Sequence, residues 1–195
     1  MKTLTILTCC HPDNYESAKK HLEYNANKVS FLNPEIKLVS NIRSKQEFND
    51  FFIKGFSKNF NTDYVLNLEL DAMIMNPYAF DESFFDYDYI GAPITKRVIN
   101  TENKDLRVGN SGFSLRSKQF CDYTANNFRN YSRATDHNCD IFLCVDQRKT
   151  LIDAGFKFAT YKIAERFSVE NNQYTGQFGA HKSFYLNTNR IILRP

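Results

Sequence analysis

Short apolar runs recur along the chain at intervals that suit strands separated by helices. TLTILTCC (3–10) and EIKLVSN (35–41) are rich in apolar and β-branched residues, and YVLNLELDAMIMNP (64–77) is a longer run of the same kind. Runs of this composition are typical of strands that are buried in a sheet. The pattern therefore predicts three strands in the first 77 residues.

The segments between these runs have helical periodicity. Apolar residues repeat at a spacing of four from Tyr15 to about Val29, with lysines and glutamates between them. Ser44 and Glu47 have the spacing of a capping box, which predicts a helix through QEFNDFFIKGFSKNF (46–60). Strand, helix, strand, helix, strand is the order that produces a parallel sheet with right-handed crossovers. The repeated apolar residues are Ala18, Leu22 and Ala26.

The second half of the chain continues the alternation. DYDYIGAP (86–93) is predicted to be a short strand, residues 117–128 a helix, and DIFLCVDQRKTLIDAG (140–155) a helix that ends at Gly155. FKFATYKIA (156–164) is predicted to return to strand. No internal repeat, low-complexity segment or linker interrupts the pattern, so all 195 residues are expected to form a single α/β domain.

Composition and charge exclude some classes of function for this protein. The net charge of +3 is too small to indicate a nucleic-acid-binding protein, and no apolar run is long enough for a transmembrane segment. The five cysteines form no CxxC pair, which favours reduced, mostly buried thiols in a cytoplasmic protein. Among the charged residues, Arg166 is expected to form an ion pair with Glu165 or Glu170.

Glu69 and Asp71 stand out because they interrupt the third apolar run. Carboxylates are rarely buried unless they are paired or bound to a metal, and at positions i and i+2 of a strand these two would face the same side of the sheet. They fall near the carboxyl end of a strand, where open α/β sheets bind their ligands. A divalent cation that bridges to phosphate oxygens would relieve their repulsion. An ion pair with a buried Lys or Arg is the alternative, and both stay open.

Three further segments carry polar residues in apolar surroundings. VGNSGFSLR is a loop that would let backbone and hydroxyl groups approach a sugar or a phosphate, although the same residues form ordinary turns. His181 in FGAHKSF is either a structural residue or a third metal donor. Asp140 in NCDIFLC is either a helix cap or a general base.

Six segments follow each other in the order DYVLNLELDAMIMNP, DYDYIGAP, VGNSGFSLR, CDIFLC, RFSVE and FGAHKSF. In this order the chain resembles nucleotide-sugar glycosyltransferases of the GT-A fold, most closely a bacterial glycosyltransferase-like family. The resemblance implies a single Rossmann-like domain with a mostly parallel central sheet flanked by helices. It also implies transfer of a sugar from a nucleotide-diphosphate donor to a hydroxyl of an acceptor, with Mn²⁺ or Mg²⁺ as the cofactor.

By this resemblance, ELD stands where the fold has its Asp-x-Asp metal motif. Asp71 matches the final aspartate, which binds the metal, and His181 matches the C-terminal histidine that completes the coordination. Glu69 departs from the commonest residue at the first position, and it would contact the metal directly, contact it through water, or touch the donor ribose. Asp140 matches the catalytic base of inverting members, although Cys139 replaces its usual acidic neighbour, and a retaining reaction stays open.

The resemblance also assigns a donor site and a loop beside it. The nucleotide base is expected at the end of the first strand, with further donor contacts after the second strand and in the ELD motif. The glycine-rich loop is expected to line the donor and acceptor sugars. The residues concerned are Thr8, Cys9, His11, Asn41, Arg43, Leu70 and Asp71 for the donor, and Asn110, Ser111 and Gly112 for the loop.

The implied partners are a nucleotide sugar, with a UDP-sugar as the first choice, and a saccharide or glycolipid acceptor. The implied setting is the synthesis of bacterial surface polysaccharide or lipopolysaccharide, in the cytoplasm or at the inner face of the membrane. Two other functions stay open on the sequence. One is a metal-dependent phosphoesterase or nuclease that uses Glu69, Asp71 and His181, and the other is a non-catalytic module that binds nucleotide sugars without turnover.

Overall fold

Strands and helices alternate through the first half of the chain in the computed structural model, which describes residues 2–132 and 137–182. The strands are β1 (Leu4–Cys9), β2 (Glu35–Val39), β3 (Tyr64–Leu68), β4 (Ala72–Ile74), β5 (Tyr89–Gly91), β6 (Phe113–Ser117), β7 (Ser168–Val169) and β8 (Gly179–His181). The helices are α1 (Tyr15–Lys28), α2 (Lys45–Asp50), α3 (Lys118–Asn127), α4 (Cys139–Ile141), α5 (Arg148–Asp153) and α6 (Tyr161–Phe167). Wider, π-helical turns follow α2 (Phe51–Gly55) and join α4 to α5 (Phe142–Asp146).

The central sheet has five strands in the order β2-β1-β3-β6-β5. β1 runs parallel to β2 and β3, whereas β6 is antiparallel to both β3 and β5, so within this sheet β6 alone opposes the common direction. A smaller sheet has three strands in the order β4-β8-β7. The predicted α/β fold with a mostly parallel central sheet is confirmed.

Apolar side chains fill both faces of the central sheet, and all six residues of β1 are buried. On one face, Leu4 and Ile6 pack in a cluster with residues of α1. On the other, Leu7 and Cys9 pack with the aromatic rings that follow α2. Successive strand residues point to opposite faces, so helical segments cover both sides of the sheet. The predicted apolar face of α1 is confirmed, since its buried residues include Ala18, Leu22 and Ala26.

One face of the sheet also holds a buried cation. Arg116 of β6 is 1% exposed, and its guanidinium lies 4.8 to 5.2 Å from the centres of three aromatic rings. It donates a hydrogen bond to the carbonyl of Phe52 at 3.1 Å. A planar guanidinium is weakly hydrated and stacks on rings, so it tolerates such a site better than a lysine would. Arg116 thus ties β6 to the π-helical turn after α2.

The third apolar run forms two strands in different sheets. β3 ends at Leu68, and β4 begins at Ala72 in the smaller sheet. The backbone N–H of Ala72 donates to the carbonyl of Glu69 at 2.9 Å and closes a turn between them. The prediction that Glu69 and Asp71 share one strand face is therefore wrong. A continuous apolar run does not reveal that the chain changes sheets within it.

The strand predicted for residues 156–164 is also wrong. Phe158 makes a single bridge to Tyr89, but helix α6 then begins, capped by Thr160. The hydroxyl of Thr160 accepts a hydrogen bond from the N–H of Ile163 at 3.4 Å. A capping threonine followed by a helix of seven residues outweighed the strand propensity of the apolar residues.

The other predicted helices are confirmed. α3 begins after Ser117, whose hydroxyl accepts a hydrogen bond from the N–H of Phe120 at 3.1 Å. Ser44 caps α2 through its side chain. The helix predicted for residues 140–155 is present as α4, the π-helical turn and α5. α5 ends at Asp153, two residues before Gly155, whose φ of +97° is a conformation that suits glycine.

Three further expectations concern charges, thiols and membrane spans. Arg166 forms its ion pair with Asp81, so the predicted pairing with Glu165 or Glu170 is wrong. The five cysteines are free and buried, as predicted. Within residues 2–132 and 137–182, no helix combines the length and apolar character that crossing a bilayer requires.

Candidate active site

The two sheets meet where the three predicted metal ligands lie. Glu69 and Asp71 belong to the turn between β3 and β4. His181 is the last residue of β8, which pairs with β4 so that His181 stands opposite Ala72. The turn is fixed to the central sheet, because the N–H of Glu69 donates to the carbonyl of Gly112 at 2.9 Å. The pairing of β4 with β8 therefore brings His181 to the two carboxylates.

The geometry of these three side chains suits a divalent cation. Nε2 of His181 lies 3.3 Å from Oδ1 of Asp71 and 3.7 Å from Oε2 of Glu69, and one candidate ligand atom from each residue lies within 4.8 Å of the others. The side chain of His181 is 2% exposed and that of Asp71 is 42% exposed, so the cluster opens to solvent on the side of Asp71. Among the described residues, the basic side chain within ion-pair distance of both carboxylates is His181, not a lysine or an arginine.

A proton on His181 balances the negative charge of the cluster. Burial by itself would lower the pKa of His181, but the surrounding carboxylates of Asp71, Glu170 and Glu69 raise it to about 11. Burial also acts to raise the pKa of Asp71, but His181 outweighs it and holds that pKa below its ordinary value. A metal ion bound among these residues would take the place of this proton.

The ring nitrogens of His181 have capacity to bind a further group. Both are buried, and neither has a hydrogen-bond partner of good geometry among the described residues. Buried polar atoms normally have partners. Two carboxylates and an imidazole form a set of ligands that suits Mn²⁺. Mg²⁺ prefers oxygen ligands, which the two carboxylates supply. The residues present therefore fit a divalent cation at the Nε2 side of the ring.

The cluster lies in the wall of a cleft of about 410 Å³. The loop before β6 and the start of α4 form part of the opposite wall, and two lysines, Lys45 and Lys182, also line the cleft. Such a space is large enough for part of a small polar ligand. The predicted site residues in its lining are Glu69, Asn110, Ser111, Asp140 and His181.

Asp140 lies in the first turn of α4 and faces the cleft. Burial raises its pKa, and the charges of Glu170 and Glu69 raise it further. Its Oδ1 accepts a hydrogen bond from the N–H of the adjacent Ile141 at 2.9 Å, whereas the residue at the capping position of α4 is Asn138. A carboxylate with a raised pKa at a cleft wall has the properties of a general base.

The loop before β6 supports the histidine directly. Oδ1 of Asn110 accepts a hydrogen bond from the N–H of Gly112 at 3.0 Å. A Cβ atom at Gly112 would lie 2.2 Å from Nε2 of His181, so this position needs a residue without a side chain. The carbonyl of Ser111 accepts a hydrogen bond from Asn67 of β3 at 2.8 Å. The loop is thus braced between the central sheet and the metal cluster, and its contacts with sugars stay a prediction.

Glu170 is a site residue that the sequence analysis did not identify. Its Oε1 lies 3.5 Å from Nδ1 of His181, and its Oε2 accepts a hydrogen bond from Nδ2 of Asn110 at 2.8 Å. β7 and β8 are parallel with Val169 opposite Ala180, so the residues that follow them are neighbours. No spacing or motif in the sequence signals this register, because the two strands are too short to show a pattern.

The donor residues predicted at the end of β1 differ in their exposure. Thr8 and Cys9 are buried, and burial together with the charge of Glu69 raises the pKa of the Cys9 thiol. His11 is partly exposed and follows β1. Leu70 is half-buried in the turn between the two carboxylates. Their contacts with a donor stay predictions.

Asn41 and Arg43 lie elsewhere. They line a surface cavity of about 660 Å³ together with Lys54 and Lys58. Helix α2 separates this cavity from the cleft, since α2 contributes different residues to each. The structure thus brings the residues after β2 together with two lysines, but not with the metal cluster.

The α/β fold, with its central five-stranded sheet flanked by helices, matches that of a solved GT-A-like glycosyltransferase. The chain belongs to the family described as "Protein of unknown function (DUF5672)", whose model matches residues 33–183. A comparison with curated proteins gives no match.

Three solved structures are similar to this chain, and one of them aligns closely enough to support the fold. A glycosyltransferase involved in the glycosylation of the major capsid of PBCV-1 is 15% identical, with 92% of each chain covered and a TM-score of 0.57. Galactosyltransferase LgtC is 15% identical, with 91% of this chain and 86% of that chain covered and a TM-score of 0.42. Glycosyltransferase GlyE of Streptococcus pneumoniae TIGR4 is 15% identical, with 84% of this chain and 46% of that chain covered and a TM-score of 0.41. The first of these, over nearly the full length of both chains, confirms the fold.

Proposed function

We propose that this protein is a metal-dependent glycosyltransferase that moves a sugar from a nucleoside-diphosphate donor to a hydroxyl of a saccharide acceptor. The observation that carries the proposal is the arrangement of the cleft. Glu69 and His181 line the cleft and form a candidate cation site together with Asp71, and the raised-pKa carboxyl of Asp140 faces the same cleft. Sugar transfer from a diphosphate needs both a group that offsets the leaving charge and a base for the acceptor.

The chain's own residues have distinct roles in this proposal. A bound Mn²⁺ or Mg²⁺ would supply the charge that stabilises the departing diphosphate. Asp71 and His181 hold that ion, and Glu69 either holds it directly or contacts the donor ribose. Lys45 and Lys182 place further positive charge in the cleft. Asp140 accepts the proton of the acceptor hydroxyl as it attacks the anomeric carbon, which corresponds to an inverting reaction.

The donor and the setting follow from the resemblance to GT-A enzymes. A UDP-sugar is the first donor to test, with its base against Thr8, Cys9 and His11. Asn110, Ser111 and Gly112 would line the sugars. The proposed acceptor is a bacterial surface saccharide or glycolipid, and the proposed location is the cytoplasm or the inner face of the membrane.

A panel of nucleotide sugars with MnCl₂ tests the proposal by thermal denaturation. We expect one donor to raise the melting temperature in the presence of Mn²⁺, because ligands that bind the folded state stabilise it by mass action. Asp71→Asn should remove this rise. If no nucleotide sugar stabilises the protein in the presence of the metal, the proposed donor site is wrong.

A product assay then separates the three functions. Incubation of the stabilising donor without acceptor should slowly release the nucleoside diphosphate and free sugar. Release of inorganic phosphate or nucleotides from substrates without a sugar would instead identify a phosphoesterase or nuclease. Binding of the donor without any release would identify a non-catalytic module.

A further inference from the structure

We propose that Glu170 is a positioning residue that orients His181 for the metal, an inference that rests on the proposed metal-dependent function. Its carboxylate would hold the Nδ1 edge of the imidazole, so that the Nε2 edge faces Glu69 and Asp71. The observation is that carboxylates lie at both edges of a single buried ring, one at Nδ1 and two at Nε2. Glu170 lies 3.5 Å from Nδ1, and the other two carboxylates lie 3.7 and 3.3 Å from Nε2.

Glu170 is itself held in place. Its side chain is 15% exposed, and Oε2 accepts a hydrogen bond from Nδ2 of Asn110 at 2.8 Å. The same Asn110 amide accepts a hydrogen bond from the N–H of Gly112 at 3.0 Å. Both ends of the amide are thus occupied, and one oxygen of Glu170 is left to face the histidine.

Within the described part of the chain, the charge of Glu170 is paired with a single basic side chain. Among the ion pairs of the described residues, His181 is the cation that approaches it. The nearby Arg166, which is four residues earlier in the chain, pairs with Asp81 instead. A mostly buried carboxylate normally needs a partner, and the partner here is the imidazole.

The chemistry of metal-bound histidines gives this contact a function. Such a histidine usually donates its second ring N–H to a carboxylate, which fixes the ring orientation and the tautomer and raises the basicity of the ligating nitrogen. With the proton on Nδ1 and directed at Glu170, the lone pair lies on Nε2, beside Asp71 and Glu69. Gly112 closes the space against Nε2 and its neighbouring ring carbons. Carboxylates thus lie at both edges of the ring, and a proton on Nδ1 leaves the lone pair of Nε2 for a metal.

Glu170→Gln separates this role from a purely structural one. The amide oxygen of the new side chain can still accept the hydrogen bond from Asn110, so its NH₂ group is turned toward Nδ1. That arrangement favours the tautomer with its proton on Nε2, which has no lone pair for a metal. We expect the Kd for Mn²⁺ to rise by about 10- to 100-fold, the range seen when such outer partners are changed. Glu170→Asp, which keeps the charge, should recover part of the affinity.

The experiment is a titration of the whole protein with MnCl₂ alone, by calorimetry or by electron paramagnetic resonance. Glu165→Gln is the matched control, because it removes an exposed carboxylate from the same part of the chain and should leave the Kd unchanged. Melting temperatures in EDTA report whether each variant is folded. Long-range ¹H–¹⁵N spectra of the native protein with saturating MgCl₂ should show His181 protonated on Nδ1, and this measurement does not depend on any variant.

The outcomes are distinct. A folded Glu170→Gln variant that binds Mn²⁺ as tightly as the native protein would overturn the inference and leave the proposed function standing. A lower melting temperature in EDTA with an unchanged Kd would assign Glu170 a structural role only and would also overturn it. A native spectrum with the proton on Nε2 would do the same. A native protein that binds no Mn²⁺ would overturn both the inference and the proposed metal dependence.

Discussion

Replacing Gly112 by alanine should disable the metal site without altering any ligand. The new Cβ would lie 2.2 Å from Nε2 of His181 and 2.4 Å from Cδ2 and Cε1. Carbon atoms in favourable contact are about 3.5–4.0 Å apart, so the ring or the loop must shift by about 1 Å or more. The ring is buried and is bounded by Glu170 on its other edge. It therefore has no position that both avoids the methyl group and keeps Nε2 beside Asp71.

The size of the effect follows from mass action. If the displaced ring weakens Mn²⁺ binding by about 10- to 100-fold, the stabilisation at a metal concentration of about 100 times the native Kd falls from about 2.7 kcal/mol to between about 1.4 and 0.4 kcal/mol. Each kcal/mol corresponds to about 2–4 °C in a domain of this size. The Mn²⁺-dependent rise in melting temperature should therefore fall from about 5–11 °C to about 1–6 °C.

Scanning calorimetry of the native protein and the variant, in EDTA and in MnCl₂, measures this difference directly. Gly155→Ala is the control. Its φ of +97° strains a side chain, but no atom lies within 4 Å of the added Cβ. It should lower both melting temperatures by a similar amount and keep the full Mn²⁺-dependent rise. If Gly112→Ala keeps the full rise as well, the ion does not bind at the Nε2 edge of His181, and the reasoning is refuted.

Three other predictions follow from buried charges. Asp140→Asn should abolish sugar transfer yet raise the melting temperature at pH 7. Burial raises the pKa of Asp140, so its ionised form opposes folding. The gain in melting temperature should vanish below pH 3.8, where the aspartic acid is as neutral as the asparagine that replaces it. The pKa of His181 rises from 6.5 to about 11 on folding. In EDTA this group therefore stabilises the protein fully below pH 6.5 and progressively less toward pH 11. Urea unfolding at several pH values should show that the free energy of unfolding declines as the pH rises, and that the decline is smaller in His181→Gln. Arg116→Lys should lower the free energy of unfolding by about 2–3 kcal/mol, because lysine replaces a stacked guanidinium with a hydrated point charge.

Each of these three predictions would be contradicted by a specific result. An Asp140→Asn variant that still transfers sugar at the native rate would remove Asp140 as the base. A decline with pH that is as steep in His181→Gln as in the native protein would place the titrating group elsewhere. An Arg116→Lys variant of native stability would show that the ring contacts contribute nothing specific to arginine.

Much of the fold could be predicted because its signals are local. The spacing of Ala18, Leu22 and Ala26 predicted α1, and the apolar run of β1 predicted a strand. The resemblance carried by ELD and His181 predicted that Glu69, Asp71 and His181 would lie together, and they do; metal binding by these residues stays a prediction. The break between β3 and β4 was missed because an apolar run has the same composition whether its strand stays in one sheet or enters another.

Contacts that depend on register were not predictable. Glu170 reaches His181 only because two strands of two and three residues lie side by side. Arg166 was assigned to carboxylates that are near it in sequence, but Asp81 is its partner across space. Ion pairs and supports of this kind are set by the packing of distant segments, and no periodicity along the chain encodes them.

The turn between β3 and β4 links the binding of a metal ion to the attachment of the small sheet. It belongs to the central sheet through Glu69 and to the small sheet through the pairing of Ala72 with His181. The small sheet has strands of only two or three residues, so its own hydrogen bonds hold it weakly. An ion bound by both the turn and His181 would hold the two sheets together. Binding of the ion would then also fix residues 168–182 to the rest of the protein.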